Sequence, residues 1–304
     1  MTLATITSEM DHSFDADFRE DFNQGMLRML SQGTSNDVRI ILSDGEITAN
    51  KNVLASQCEY FAANIRWKEQ TKDKSDHIEI TDCSKEVMER IIKFLFTGSI
   101  KFKDFGLLKL LELVNQVRKL LLKGDLQCLI ESYIVEDILS FASIKLLRSK
   151  CEDIIRGLQY ADKFYLDGVR DFILRTNLYL LPHIAKDTEA ISTFSTLPLQ
   201  IIRDLLYFPG IKEIFRTKKS QRVLNSARFR CFWAWCQTNK DTCPEDKKKI
   251  LGVIDLDLFR ATELFLLVKP SGLFPEVEVD KRIVRCLRER DEMVSQKEKY
   301  SAAK

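Results

Sequence analysis

The apolar positions of this chain change their period several times, and each change marks an element. From residue 18, Phe18, Phe22, Met26, Met29 and Leu30 recur at helical spacing, and Gly33 ends the run. VRIIL (38–42) and EITAN (46–50) then read as strands joined through Asp44-Gly45, a dipeptide that tolerates the positive φ angles of a type I′ hairpin turn. Asn50-Lys51 leads into a helical stretch holding Val53, Leu54 and Ala55, and a second one carries Tyr60, Phe61 and Ile65. The polar run KEQTKDKSD (68–76) predicts a loop, and HIEI (77–80) a third strand. Ser84 is the expected N-cap of a helix with the apolar face Val87, Met88, Ile91 and Leu95, stopped by Gly98. The next helix has apolar residues at 107, 110, 111, 114, 117 and 121, with Lys109, Glu112, Gln116 and Lys119 opposite. After Gly124-Asp125 one more stripe runs through Leu126, Leu129, Ile130, Tyr133 and Ile134.

Beyond about residue 138 the strand pattern almost vanishes. Helical periods continue through IIRGLQYADKFYLDGVRDFIL, LPLQIIRDLLYF, ARFRCFWAWCQ and KKKILGVIDLDLF, with Pro182, Pro198, Pro209, Pro244 and Pro270 expected in the connections. The expected organisation is a disordered tail at 1–17, a mixed α+β domain at 18–135, an all-helical domain at 136–290 and a charged tail at 291–304. No repeat of fixed period is present, which excludes an attached propeller or solenoid.

Composition narrows the function classes. The 304 residues include 47 basic and 45 acidic side chains, a formal net charge of +2, so no global field draws in nucleic acid. No apolar run approaches the roughly 20 residues that span a bilayer. The first twenty residues lack a basic start and an apolar core, which predicts no secretory signal and no membrane partner. Eight scattered cysteines, mostly within apolar helical patterns, behave as reduced small hydrophobes and point to a cytoplasmic or nuclear protein. Cys231, Cys236 and Cys243 crowd together without a CxxC pair, and His12, His77 and His183 are isolated, so no metal site is expected. No acid–base pair, nucleophile constellation or glycine-rich cofactor loop is readable, and neither an enzyme nor a cofactor is expected.

The ordered set Asp37-Val38, then Ala49-Asn50-Lys51-Asn52-Val53-Leu54-Ala55, then Tyr60-Phe61, then Phe94-Leu95-Phe96-Thr97-Gly98 resembles the BTB (POZ) domain. The second half, through LQYADKFYLDGVRDFIL, FSTLPLQIIRDLLYF, FRCFWAWC and ELFLLVKPSGLFP, resembles the BACK domain that follows BTB in many proteins. Together they cover roughly residues 18 to 290. The family usually has His where this chain has Asn50, and its "RS-x-YF" Ser is Cys58 here.

The resemblance implies a homodimer, with the N-terminal helix bearing Phe18, Phe22, Met26 and Leu30 packed across a two-fold axis. Burying four such side chains contributes on the order of 6–12 kcal/mol before entropy costs. The alternative is that this helix folds back on its own domain. Asp37 and Asn50 stand where the family keeps a polar pair near its dimer interface. An Asp in front of a strand can equally accept backbone N–H bonds and pin the sheet.

The resemblance also implies a cullin scaffold as partner, contacted by Ile65, Trp67, Glu69 and Phe96. A hydrophobic-x-Glu phrase, here Trp67-Lys68-Glu69, follows the "YF" helix in such adaptors. The alternative for Trp67 is a cap on its own core. Phe229, Phe232, Trp233 and Cys236 share a helix face and read as core. The run at 211–230 carries seven basic residues and one acidic one, and reads as a solvated loop leading into a helix rather than a phosphate-binding surface. The expected function is a non-enzymatic cullin-3 ubiquitin-ligase adaptor that holds a protein substrate. The second reading is a scaffold or transcriptional co-regulator that dimerises without a cullin.

Overall fold

The computed structural model describes residues 13–33, 36–71, 77–102, 104–122, 125–140, 150–208 and 215–302. Contacts divide the chain into two compact units, Met1–Asp137 and Ile138–Lys304.

The first unit begins with α1 (Ser13–Gln32), so residues 13–17 are helical rather than part of a tail; residues 1–12 lie outside the described residues. Gly33 follows with φ 66°, a left-handed stop. The hairpin β1 (Val38–Leu42) and β2 (Gly45–Ala49) leads to α2 (Lys51–Gln57), α3 (Glu59–Thr71) and β3 (His77–Ile80). The sheet has the order β2-β1-β3, antiparallel between β1 and β2 and parallel between β1 and β3. A parallel return needs a crossover, and α2 and α3 supply it. Alternation in β1 buries Val38, Ile40 and Leu42, and the register sets Ile40 beside Ile78 and Leu42 beside Ile80.

Three further helices complete the unit: α4 (Lys85–Thr97), α5 (Leu107–Lys119) and α6 (Leu126–Ser140). α4 buries Val87, Met88, Ile91, Ile92, Leu95 and Phe96, and packs against α1, α2, α5 and β2. Gly98 closes it at φ 68°, its N–H donating to Phe94 O at 2.7 Å.

Four local expectations are corrected. Register pairs Leu42 with Gly45, so Ser43 and Asp44 form the turn; neither has positive φ, and the turn is not type I′. The hairpin instead aims Asp44 at α4, where its Oδ1 accepts from Lys85 N at 2.6 Å. Ser84 sits at the N-cap position but its Oγ accepts from Lys109 Nζ at 2.8 Å. Gln116 is buried, not solvated, because its Nε2 donates to Asp82 O at 3.0 Å. Leu121, past the helix end with φ 52°, and Leu129 on α6 are exposed rather than part of their stripes.

Among the described residues of the second unit there is no strand. Its helices are α7 (Cys151–Lys163), α8 (Asp167–Ile184), α9 (Thr188–Ser195), α10 (Leu199–Leu206), α11 (Lys218–Thr238) and α12 (Pro244–Leu251). A continuous helical stretch follows, α-helical at Ala261–Glu263, π at Leu264–Val268 and α-helical again at Lys269–Ser271. The last helix is α13 (Glu276–Ala302). Pro182 lies inside the last turn of α8 rather than in a connection, and Pro209 falls outside the described residues. The segment 291–302 continues α13, because no Gly or Pro interrupts RERDEMVSQKEKYSA. The core gathers Phe194, Phe229, Phe232, Trp235 and Phe259, with Trp235 Nε1 donating to Leu197 O at 2.8 Å. Among the described residues no helix is long and apolar enough to cross a membrane.

The start of α2 and the centre of α4 separate a cap from a core contribution. Asn50→Ala removes the acceptor for two helix N–H groups and is expected to cost about 1 kcal/mol in urea unfolding. Met88→Ala leaves a cavity in fully buried surroundings and is expected to cost about 2–5 kcal/mol. A larger loss for the cap than for the core would contradict this assignment.

Candidate partner-binding surfaces

Two helices of the first unit, α1 and α3, carry most of the residues singled out for partner contact. On α1 no described side chain is fully buried, and Phe22 is 54% exposed. Leu27, Leu30 and Ser31 line a cleft of about 590 Å³ together with Ile47 of β2 and Ile92 of α4. At 100° per residue, Phe22, Met26 and Met29 share a side with Leu30 at its edge, about 40° from Met26; of these only Phe22 is exposed, and the two methionines and Leu30 are half-buried. The expected stripe is therefore unevenly covered: Met26 and Leu30 are half-buried, while Phe22 is left exposed. For Phe18 only the helical backbone is described.

Asp37 and Asn50 are engaged in local structure. Asp37 Oδ1 accepts from Lys51 N at 2.8 Å, its Oδ2 is 3.9 Å from Lys51 Nζ, and its N–H donates to Ala49 O. Asn50 Oδ1 accepts from Asn52 N and Val53 N, both at 3.1 Å, and so caps α2. The two residues join the start of β1 to the start of α2.

The hydrophobic-x-Glu phrase lies on a helix and not on a loop edge. α3 runs to Thr71, which bonds back to Trp67 O at 2.9 Å, while Lys68 Nζ donates to His77 O and ties the helix end to β3. KEQT contains no residue that stops a helix; 72–76 lie outside the described residues. Residues two apart on a helix do not share a face, so Trp67 and Glu69 point to opposite sides. Glu69 shares a side with Ile65, four residues earlier. Trp67 is 58% exposed, and its neighbours at three and four residues are Ala63, Asn64, Gln70 and Thr71. Trp67 does not cap the core. Phe96 is 3% exposed and belongs to the core of α4, so it is absent from this surface.

Electrostatics around α3 come from its base. Cys58 donates from Sγ to Leu120 O at 3.3 Å, and burial pushes its thiol up from the ordinary range. At Asp82 burial works to raise the carboxyl, but Lys119 and Gln116 outweigh it and hold the group below its usual value. Cys83 is pushed up to about 12 by burial and by Glu112. These thiols are poor nucleophiles at neutral pH.

The basic run at 211–230 is not a uniform cationic surface. Lys218 to Arg230 belong to α11, started by a capping box between Thr217 and Ser220, while 211–214 lie outside the described residues. Arg228 is only 8% exposed, and its Nε has no hydrogen-bond partner. Burial lowers its pKa to about 10. Trp235, left out of the expected core face, is buried, whereas Trp233 is half-buried with an unpartnered Nε1. Ala63, Gln70 and Thr71 escaped the sequence reading because they flank Trp67 only once the helix extends past Lys68.

The sequence of residues 26–138 matches the family model of the BTB/POZ domain. This segment is a BTB/POZ domain. Kelch-like protein 11 of Mus musculus is 25% identical over 245 residues, 79% of this chain and 30% of the relative. That span is longer than the BTB domain, so the likeness runs on into the helical second unit. Rho-related BTB domain-containing protein 2 of Homo sapiens is 32% identical over 89 residues, 29% of this chain and 12% of the relative. The chain thus spans about a third or less of the length of these relatives. Among solved structures, the BTB domain of zebrafish PATZ1 is 20% identical with a TM-score of 0.30, covering 44% of this chain and 98% of that one. The BTB domain of human Gigaxonin is 24% identical with a TM-score of 0.29, covering 41% and 95%.

A buried guanidinium whose Nε lacks a partner is a cost to its own fold. Arg228→Met keeps the stem and deletes the charge, and is expected to raise stability by about 1 kcal/mol or more in urea unfolding at pH 7. A loss of stability instead would mean that the charge is compensated.

Proposed function

We propose that the chain is a non-enzymatic, homodimeric adaptor for protein interactions. Its BTB domain recruits a cullin-3 RING ubiquitin ligase, and its second unit, read as a BACK domain, positions a protein substrate. The observation that carries this reading is Trp67. A large, rigid aromatic ring held outward in water by a helix tied to β3 at its end lowers no energy of its own fold, and is the kind of side chain that anchors an interface. Phe22, exposed on α1 with half-buried Met26 one turn further on, supports self-association, because pairing about a two-fold axis covers the same apolar side on both copies. The cullin itself comes from the resemblance of the Trp67 phrase to that of BTB adaptors. The reading includes residence in the cytoplasm, with the nucleus as a second compartment, and no membrane or nucleic-acid partner.

The separation of Trp67 from Glu69 favours a second reading, a BTB scaffold or transcriptional co-regulator that uses Trp67 for another protein. Calorimetric titration with the N-terminal domain of cullin-3 distinguishes them. Trp67→Ala is expected to weaken binding by about 2 kcal/mol, roughly thirtyfold, whereas Glu69→Ala changes it by less than about threefold. Wild-type affinity in Trp67→Ala would remove the site assignment. A wild-type chain that releases no heat would leave the scaffold reading in its place.

A further inference from the structure

The last helix of the second unit carries two apolar sides, and its own fold uses one. Val279 is fully buried, Ile283 is half-buried, and Cys286 Sγ lies 3.9 Å from Phe259 O; this side packs on the π-helical stretch Leu264–Val268. A second row, Val277, Val284, Leu287 and Val294, repeats at seven- and three-residue steps, and these four are between 45% and 66% exposed. Seven- and three-residue steps keep side chains along one seam of a helix.

A shallow groove of about 640 Å³ runs along the outward side of α13, lined by Val277, Asp280, Lys281, Val284, Arg285 and Arg288. Two of its charges are already matched. Asp280 accepts from Lys269 Nζ at 2.8 Å, and Arg285 donates from Nε to Glu289 at 3.0 Å and lies 3.7 Å from Asp257. Lys281 and Arg288 have no ion pair or hydrogen bond among the described residues. The groove therefore offers apolar surface with uncompensated positive charge beside it.

We propose that this side of α13 docks an acidic amphipathic helix of a partner protein. Leucine-type side chains of that helix cover Val277, Val284 and Leu287, and its carboxylates pair with Lys281 and Arg288. A second copy of this chain fits less well. Antiparallel pairing about a two-fold axis brings like edges together, so Lys281 and Arg288 meet the same cations. Parallel pairing sets Asp280 against its own counterpart on the seam. An anionic lipid surface is disfavoured too, since the apolar residues of the row are Val and Leu rather than interfacial aromatics. The inference stands apart from the cullin reading, which concerns the BTB domain alone.

The test uses the full chain and fluorescence anisotropy. One probe is a labelled four-heptad peptide with Leu at the seam positions and Glu on both flanks; the other has Lys in place of every Glu. The Glu peptide is expected to bind, and the Lys peptide not. The double substitution Lys281→Glu, Arg288→Glu, on a solvent-facing side that leaves the core intact, is expected to weaken the Glu peptide at least about tenfold and to admit the Lys peptide. Val284→Asp is expected to weaken the Glu peptide by a similar factor. No binding of the Glu peptide, or equal binding of both peptides, overturns the proposal. So does tighter binding to phosphatidylserine vesicles or duplex DNA, or loss of self-association in Val284→Asp.

Discussion

The first unit depends on one requirement: α4 carries a broad apolar face that must be covered, while Lys85, Glu86 and Lys93 stay in solvent on its other side. Val87, Met88, Ile91, Ile92, Leu95 and Phe96 cannot be sheltered by a three-stranded sheet alone. The hairpin strand β2, α2, α5 and α1 pack against α4 and together cover this face. α1 is too narrow to bury both its own sides in doing so. Leu27 and Leu30 line the cleft with Ile92, Met26 is half-buried, and Phe22 is left exposed. The exposure of Phe22 is thus a consequence of how α1 is laid against α4.

The same sheet determines where Trp67 ends up. β1 needs a parallel partner, so the chain crosses over through α2 and α3 and returns at His77. Asp37 and Asn50 fasten the beginning of that crossover, and Lys68 fastens its end. With both ends tied, the phase of α3 is determined: Phe61 and Ala62 turn inward, and Trp67 turns out. Local bonds at Asp37 and Asn50 therefore act on the partner surface indirectly, by orienting the helix that presents it.

Most of the fold was readable from periodicity alone. The strands at 38–42 and 77–80, the α4 face and the Gly33 and Gly98 stops all follow from local pattern. What escaped depended on long-range partners. Asp44, not Ser84, caps α4, because a hairpin 40 residues away delivers the carboxylate. Gln116 looks solvated on a helical wheel and is buried because Asp82 offers a carbonyl. The polar composition of KEQT resembles a loop, yet nothing in it breaks a helix, and this hid the separation of Trp67 from Glu69. Phe96 sits within a family-like phrase, and its place in the core beside Ile92 and Leu95 shows only in the fold. Arg228 shows the converse: one residue of a basic run that tertiary packing removed from solvent.

The claim on which the account rests is that the outward side of α1 is covered by a second copy of the chain. Sedimentation equilibrium of the purified wild-type chain at micromolar concentration tests it most directly. The account predicts twice the 35.3 kDa chain mass, falling to the single-chain mass in Phe22→Asp. A wild-type chain that sediments at its single-chain mass across the concentration range would contradict it.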